Sequence, residues 1–429
     1  MFKNFWSRMR DFSVGNPVAF RYAVDGLLIG SATTIASNTH NLFAVRLGAN
    51  DFQLSLVFFL PQMFNLLILI PGGLFTDSLH NKKRMVLAAL LAAALGYFFS
   101  SLSPFTGGYS IFFYLAFLSF ASGAIALHNL AWQSYFPDVI DREVRNKVLT
   151  ARTYVFIFFS MLSPLIVGAV LASIKNTNWK IIAHQGFFIG STLLFLAAAN
   201  NFRKFRAVRK NVPKRITLPE IKGAAKSLFH NKPFLLFAAA AMFFHMTWHF
   251  DWTLYFIGQV KYLKMNELQL GLVTVGATVM QLITLKFWSL KNEKYGVVLP
   301  FTFGIIGLSL CPVSMIIAVS LPGAIGPYAF LAFHTISHIP YATVTLNLFQ
   351  CLLQVVDEEY RSFSMAVFAC LICLSNAIMP VAGVALYHAL GGDLNGFRYT
   401  FEIIFVLRII AAGFWLLRWR HFQNTPQTA

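Results

Sequence analysis

Twelve apolar stretches, each long enough to cross a bilayer, run through this 429-residue chain and fall into two sets of six. They lie at about 18–45, 52–75, 84–103, 109–134, 148–173, 181–201, 233–257, 268–290, 297–320, 327–352, 363–390 and 399–418. A spanning helix needs about 20 apolar residues to cover roughly 30 Å of hydrocarbon. The 57% hydrophobic and 12% charged content leaves too little polar surface for a water-soluble fold. Strand-like alternation is absent and the stretches are too long for barrel strands, so helix is the reading. The expected fold is an all-α membrane protein, with twelve transmembrane helices in two pseudosymmetric six-helix bundles. Residues 1–201 form the first bundle, 202–232 a cytoplasmic linker and 233–429 the second bundle.

The short loops of the two sets echo each other. Gly73-Leu-Phe-Thr-Asp77 and Lys82-Lys83-Arg84 follow span 2, and Glu293-Lys294-Tyr295-Gly296 follows span 8. Asp141-Arg-Glu143-Val-Arg145 follows span 4, and Asp357-Glu-Glu359-Tyr-Arg361 follows span 10. A membrane chain that repeats a half is commonly one that rocks the halves to move a solute.

The formal net charge is +18. A nucleic-acid surface is one source of such a value, but the distribution argues for topology. With the N-terminus inside, 25 of the 34 Lys and Arg lie on the cytoplasmic side. Arg46, Lys175, Lys180, Lys261, Lys264 and Arg398 lie outside, and Arg152, Lys286 and Arg408 fall within spans. That is the positive-inside bias, with both termini cytoplasmic and no nucleic-acid partner. The run from Arg203 to Arg215 suits anionic headgroups. Thr217-Leu-Pro-Glu220 reads as a helix start, and Ile221–Phe229 as a short amphipathic helix on the inner surface. The basic, aromatic N-terminus does not read as a cleavable signal peptide. Cys370 and Cys373 are read as buried packing thiols rather than a redox or zinc pair. No loop is long enough for a soluble catalytic domain, and no His-Glu-x-x-His, Gly-x-Ser-x-Gly or phosphate-loop motif occurs. Neither an enzyme nor a sensor is expected, and no cofactor.

These residues give the chain a family likeness. It resembles the major facilitator superfamily over essentially its whole length. That family has two six-helix halves, termini inside, and a long loop between helices 6 and 7. Its signature between helices 2 and 3 is matched by Gly73, Asp77 and the basic Lys82, Lys83 and Arg84, while Ser78, His80 and Asn81 depart from it. The resemblance implies a cytoplasmic gate formed by Gly73, Asp77, Arg84, Arg145, Glu293 and Arg361. Span 5 carries Ser160-Met-Leu-Ser163-Pro164-Leu-Ile-Val-Gly168, a partial likeness to the Gly- and Pro-rich stretch of proton-linked exporters. It tilts direction slightly toward export.

Of 11 His, six fall within spans: His40, His128, His245, His249, His334 and His338. They occupy spans 1, 4, 7 and 10, which line the central cavity in the family this chain resembles. Polar groups inside a bilayer mark pathways. His245, Trp248, His249 and Trp252 follow i, i+3, i+4, i+7 on span 7, and His334, His338 and Tyr341 do so on span 10. Asn129 and Trp132 join His128 on span 4, and Thr33, Ser37, His40 and Asn41 form a stripe on span 1. The solute contacts expected are Asn129, Trp132, Trp248, His249, Trp252, His338 and Tyr341. A carboxyl within a bilayer can load and release a proton as access alternates. Asp251 is the expected carrier, with His245 beside it. Asp25 is a second candidate, and its depth matches Arg152 for a structural or gating pair. The reading is a proton-coupled secondary transporter of a small organic solute, acting as a monomer among membrane lipids in a bacterial inner membrane. The alternatives are an uptake symporter for a polar solute such as a sugar, and a divalent metal transporter using the cavity histidines.

Overall fold

The computed structural model describes residues 17–79, 81–140, 142–206, 218–356 and 361–424. Among these the chain is helical throughout, with no strand. Ten segments among the described residues are long and apolar enough to cross a membrane. The first helix, with Asp25 and its polar stripe, falls outside that set, and the tenth span is split into two shorter helices. The chain is an integral, multi-pass membrane protein.

Two compact units divide the described residues, one drawing on those within 17–50 and 60–206, the other on those within 51–59 and 218–424. In the first, α1 (Pro17–Arg46) packs on α5 (Arg142–Ser173) and α6 (Thr177–Arg203). There α3 (Lys82–Ser101) packs on α4 (Ser110–Val139) and α6, and α2 (Asp51–Ser78) starts in the second unit. His40, Tyr97, Phe188 and Phe195 stack in sequence at its core. Tyr114 donates its hydroxyl to the His40 carbonyl at 3.1 Å. Outside, Leu67, Leu95 and Leu193 stand exposed, as a lipid-facing surface requires. Lys83 donates to the carbonyls of Arg203 and Phe205, both at 2.7 Å, placing a cation on the C-terminal end of α6.

The second unit begins with α7 (Leu218–His230), the expected amphipathic helix of the linker. Ala224 and Leu228 turn inward, and Lys222, Lys226 and Phe229 face out. Asn231 then caps α8 (Lys232–His249), accepting from the Phe234 amide at 2.9 Å while donating to the Val355 carbonyl at 3.0 Å. Phe237, Phe301 and Trp415 anchor the core.

Three spans expected to be continuous are broken in this unit. Span 7 stops at His249 and restarts as α9 (Trp252–Ile257), which runs into a π-turn at Gly258–Tyr262. After α10 (Glu267–Tyr295), span 9 divides into α11 (Val298–Leu308) and α12 (Cys311–Ser320). Span 10 divides into α13 (Ile325–Ser337) and α14 (Tyr341–Leu353), followed by α15 (Arg361–Ala389) and α16 (Leu394–Asn424). Prolines account for two breaks. Pro312 has no N–H for the Leu308 carbonyl, and Pro340 crowds the preceding turn. Inside a bilayer no water satisfies such freed carbonyls, so other protein groups must. The Ile339 carbonyl takes bonds from Trp288 Nε1 at 3.0 Å and Thr284 Oγ1 at 3.1 Å. The other two breaks share one donor, Arg408.

Candidate functional site

Arg408 lies on α16, almost wholly buried at 2% exposure. Its Nη1 donates to the Leu308 carbonyl at 3.2 Å, the group orphaned by Pro312. Nε reaches the Thr247 carbonyl at 3.4 Å and Nη2 the Trp248 carbonyl at 3.2 Å, on the last turn of α8. The guanidinium thus bridges two helix ends whose carbonyls carry partial negative charge. Nη2 also pairs with Asp251 Oδ2 at 2.7 Å, and Trp248 lies against the guanidinium 4.9 Å from its ring centre. Asp251 stands in the N-cap position of α9, at the break itself.

A cavity of about 390 Å³ opens beside this pair. Its walls include Trp248, Trp252, Tyr255 and Tyr341, with Phe58 from the first turns of α2. Trp248 and Tyr341 stack at 5.6 Å between ring centres. His334, His338 and Cys311 contribute from the other two breaks, and Thr274, Thr278 and Gln281 from α10. The volume suits a small organic molecule, and the mix of aromatic faces and a few polar groups is that of a ligand site.

The structure brings together Asp251, Trp248, Trp252, His338 and Tyr341 at this cavity, within the second unit. The cavity face of this span, Trp248, Asp251, Trp252, Tyr255 and Gln259, keeps helical spacing across the break, and His249 and His245 are not among the lining residues. His249 Nδ1 instead bonds Ser375 Oγ on α15 at 2.9 Å, and His245 packs against His249 and Phe368. Among the described residues no three His, Cys, Asp or Glu are grouped to hold a metal ion.

The remaining candidates lie in the first unit. Asp25, fully buried, pairs with Arg152 Nε at 3.1 Å, and Arg152 lies over Trp132 at 4.1 Å from its ring centre. His128 is buried beside them and within 3.3 Å of Asn129 Oδ1, while the Asn129 residue as a whole is exposed. His40 belongs to the aromatic core, and buried His184 contacts Arg46. The pair depends on a close crossing of α1 and α5, since a Cβ on Gly26 would stand 2.6 Å from the Arg152 carbonyl oxygen. Gly26→Leu is therefore expected to separate Asp25 from Arg152 and cost about 1–3 kcal/mol or more of overpacking. The melting temperature in detergent should fall by several degrees, and an unchanged value would mean that α1 has room to move.

Of the expected gate, Arg84 and Glu293 are exposed. Gly73 and the side chains of Asp77, Arg145 and Arg361 lie outside what the structure describes. Sequence reasoning noted Arg408 as a base within a span but gave it no role. Its signal was there: an intramembrane cation needs a partner, and Asp251 is the acid nearest its depth.

The chain matches the family profile described as Major Facilitator Superfamily over residues 19–260. No curated protein matches it. Among solved structures it is similar to a bacterial homologue of the iron transporter ferroportin in its inward-facing state. That match has a TM-score of 0.69 and 11% identity, covering 93% of this chain and 98% of the other. It is also similar to a bacterial homologue of the human lysosomal transporter Spinster, inward-facing and occupied, at TM-score 0.68 and 14% identity over 95% and 97% of the two chains. The inward-open xylose transporter XylE from E. coli matches at TM-score 0.65 and 15% identity, over 93% and 95%. At such identities the likeness speaks for the fold.

Proposed function

We propose that this chain, which belongs to the major facilitator superfamily, is a secondary active transporter that carries a small organic solute by alternating access, coupled to protons. The observation that carries this reading is the buried Asp251–Arg408 pair on the wall of an aromatic cavity. Trp248, Trp252, His338 and Tyr341 are the solute contacts, and Asp251 is the proton carrier. The Asp25–Arg152 pair serves the first unit as a structural or gating element, with Asp77, Arg84 and Glu293 at a cytoplasmic gate and both termini inside. A bacterial inner membrane and a monomeric state complete the reading.

Proteins of similar fold include a homologue of an iron transporter and a xylose transporter, so fold likeness does not select the cargo. The cavity favours an organic solute over a divalent metal. Its one carboxylate is already paired with Arg408, and His334 Nδ1 lies 3.5 Å from Ser314 Oγ.

A thermal-shift screen of the purified protein against sugars, amino acids, organic acids, organic cations and divalent metals identifies the ligand class, because a ligand of the folded form raises the melting temperature. The ligand found is then followed as flux into liposomes under an imposed pH gradient. Asp251→Asn is expected to bind the ligand and to lose uphill accumulation. Full accumulation by that variant would exclude Asp251 as the carrier.

A further inference from the structure

The geometry points to an anion, specifically a monocarboxylate with an apolar or aromatic body, as the solute of the cavity, held by Arg408 in the place that ionised Asp251 otherwise occupies. This rests on the cavity being the solute site.

Arg408 keeps its position without Asp251. Three of its four bonds go to main-chain carbonyls of two helix ends, and those ends are fixed by the fold. Asp251 is the less tethered member. Its Oδ2 meets the guanidinium, while its Oδ1 is buried with no hydrogen-bond partner. A buried carboxylate oxygen left in that state is costly, so the bond to Arg408 is the one side-chain contact that holds the carboxylate there.

The charges around the pair then choose the ligand. Tyr255 on α9, Cys311 on α12, His334 and His338 at the end of α13, and Tyr341 on α14 are the other titratable groups lining the cavity. From α10 come only uncharged Thr274, Thr278 and Gln281. On α8, His249 is turned to Ser375 of α15, and α15 places Gly383 against the break. With Asp251 ionised the pair is neutral. With a proton on Asp251 the cavity is left with the single positive charge of Arg408. A solute carboxylate restores neutrality by taking the N–H that Asp251 gave up. A cationic solute would have to displace a guanidinium that three carbonyls hold in place, and would be repelled by it. Trp248 extends the flat face of the guanidinium toward Tyr341, which gives the solute body an aromatic wall. The proton comes from water and moves to the Asp251 carboxyl, and no other bond is made or broken. Proton and anion therefore bind together, as a neutral load.

The test uses the full-length protein in detergent and three matched sets of probes. These are benzoate, 3-phenylpropionate and indole-3-acetate, their amides, and the corresponding amines. Melting temperature and dissociation constant are read at pH 6 and pH 8.5. At least one carboxylate should stabilise the wild type at pH 6, with its dissociation constant rising by up to about tenfold per pH unit as one coupled proton is lost. Asp251→Asn, a fixed neutral stand-in, should bind the same carboxylate equally at both pH values. Arg408→Lys, which keeps the charge but cannot span both helix ends, should bind it more weakly. The assignment is overturned if no carboxylate binds, or if wild type and Asp251→Asn show the same pH dependence. Binding of amides or amines that Trp248→Ala removes would also overturn it, while leaving the cavity as the solute site. Failure of every probe class in the screen would remove the solute-site reading itself.

Discussion

Replacing Arg408 with Gln should lower the thermal stability of the protein far more than replacing Asp251 with Asn. The two residues form one ion pair, so a simple buried salt bridge would lose a similar amount from either side. Removing one partner of such a pair costs about 3–5 kcal/mol, because the other charge stays buried and unpaired. Here the two sides are unequal. Without the guanidinium, the carboxylate of Asp251 and the carbonyls of Thr247, Trp248 and Leu308 lose their donor together. Each unsatisfied buried group adds about 1–3 kcal/mol, and Gln can serve only one or two of them. Without the Asp251 charge, by contrast, Arg408 keeps three carbonyl partners and its contact with Trp248. Melting curves of the two single variants and the double variant decide the matter. Equal losses, with no further loss in the double variant, would reduce Arg408 to one half of an ordinary buried pair.

The positions of the spans were legible because the hydrophobic requirement of a bilayer is written locally. About twenty apolar residues in a row, bounded by basic loops, leave few alternatives, and ten of the segments meet that standard in the structure. The helix breaks were less legible. Around Phe250 the sequence is as apolar and aromatic as in any continuous span, and no proline marks the spot. The break there is held by a side chain 157 residues away, a tertiary cause that no local window contains. Pro312 and Pro340 were visible, but a proline in a membrane helix produces a kink or a full break according to what its neighbours offer the freed carbonyls. The histidines were misplaced for a different reason. Helical periodicity put His245 and His249 on one face with Trp248, but an apolar or polar stripe about 100° wide does not say which of its edges meets a cavity. Trp248, Asp251, Trp252 and Tyr255 line it at helical spacing, and His249 at the edge of that face bonds Ser375 instead. Asp251 was identifiable because an acid within a span is rare, and the same reasoning applied to Arg408 would have joined the two.

Gly383→Ala should be the most damaging single-methyl change in the second unit. Gly383 lies on α15, three residues beyond Pro380, where that helix passes the α8–α9 break. A Cβ at this position would fall on the carbonyl oxygen of Phe250, so the two backbones cannot stay where they are. A flexible side chain would swing aside, but a main-chain carbonyl moves only with its peptide. The next residue after Phe250 is Asp251, and two of the carbonyls that hold Arg408, those of Trp248 and Thr247, lie two and three residues before Phe250. Displacing the break therefore pulls on both sides of the ion pair at once, at a cost of about 1–3 kcal/mol or more for overpacking. For a unit of this size that corresponds to a fall of several degrees in melting temperature, roughly 2–4 °C per kcal/mol. Gly413→Ala supplies the control. It also adds one methyl within a helix of the same unit, but it meets no atom within 4 Å, so improved helix propensity should leave stability unchanged or raised by up to about 1 kcal/mol. If Gly383→Ala melts with Gly413→Ala and keeps uphill accumulation in liposomes, the position of the Phe250 carbonyl does not set the geometry of the Asp251 site.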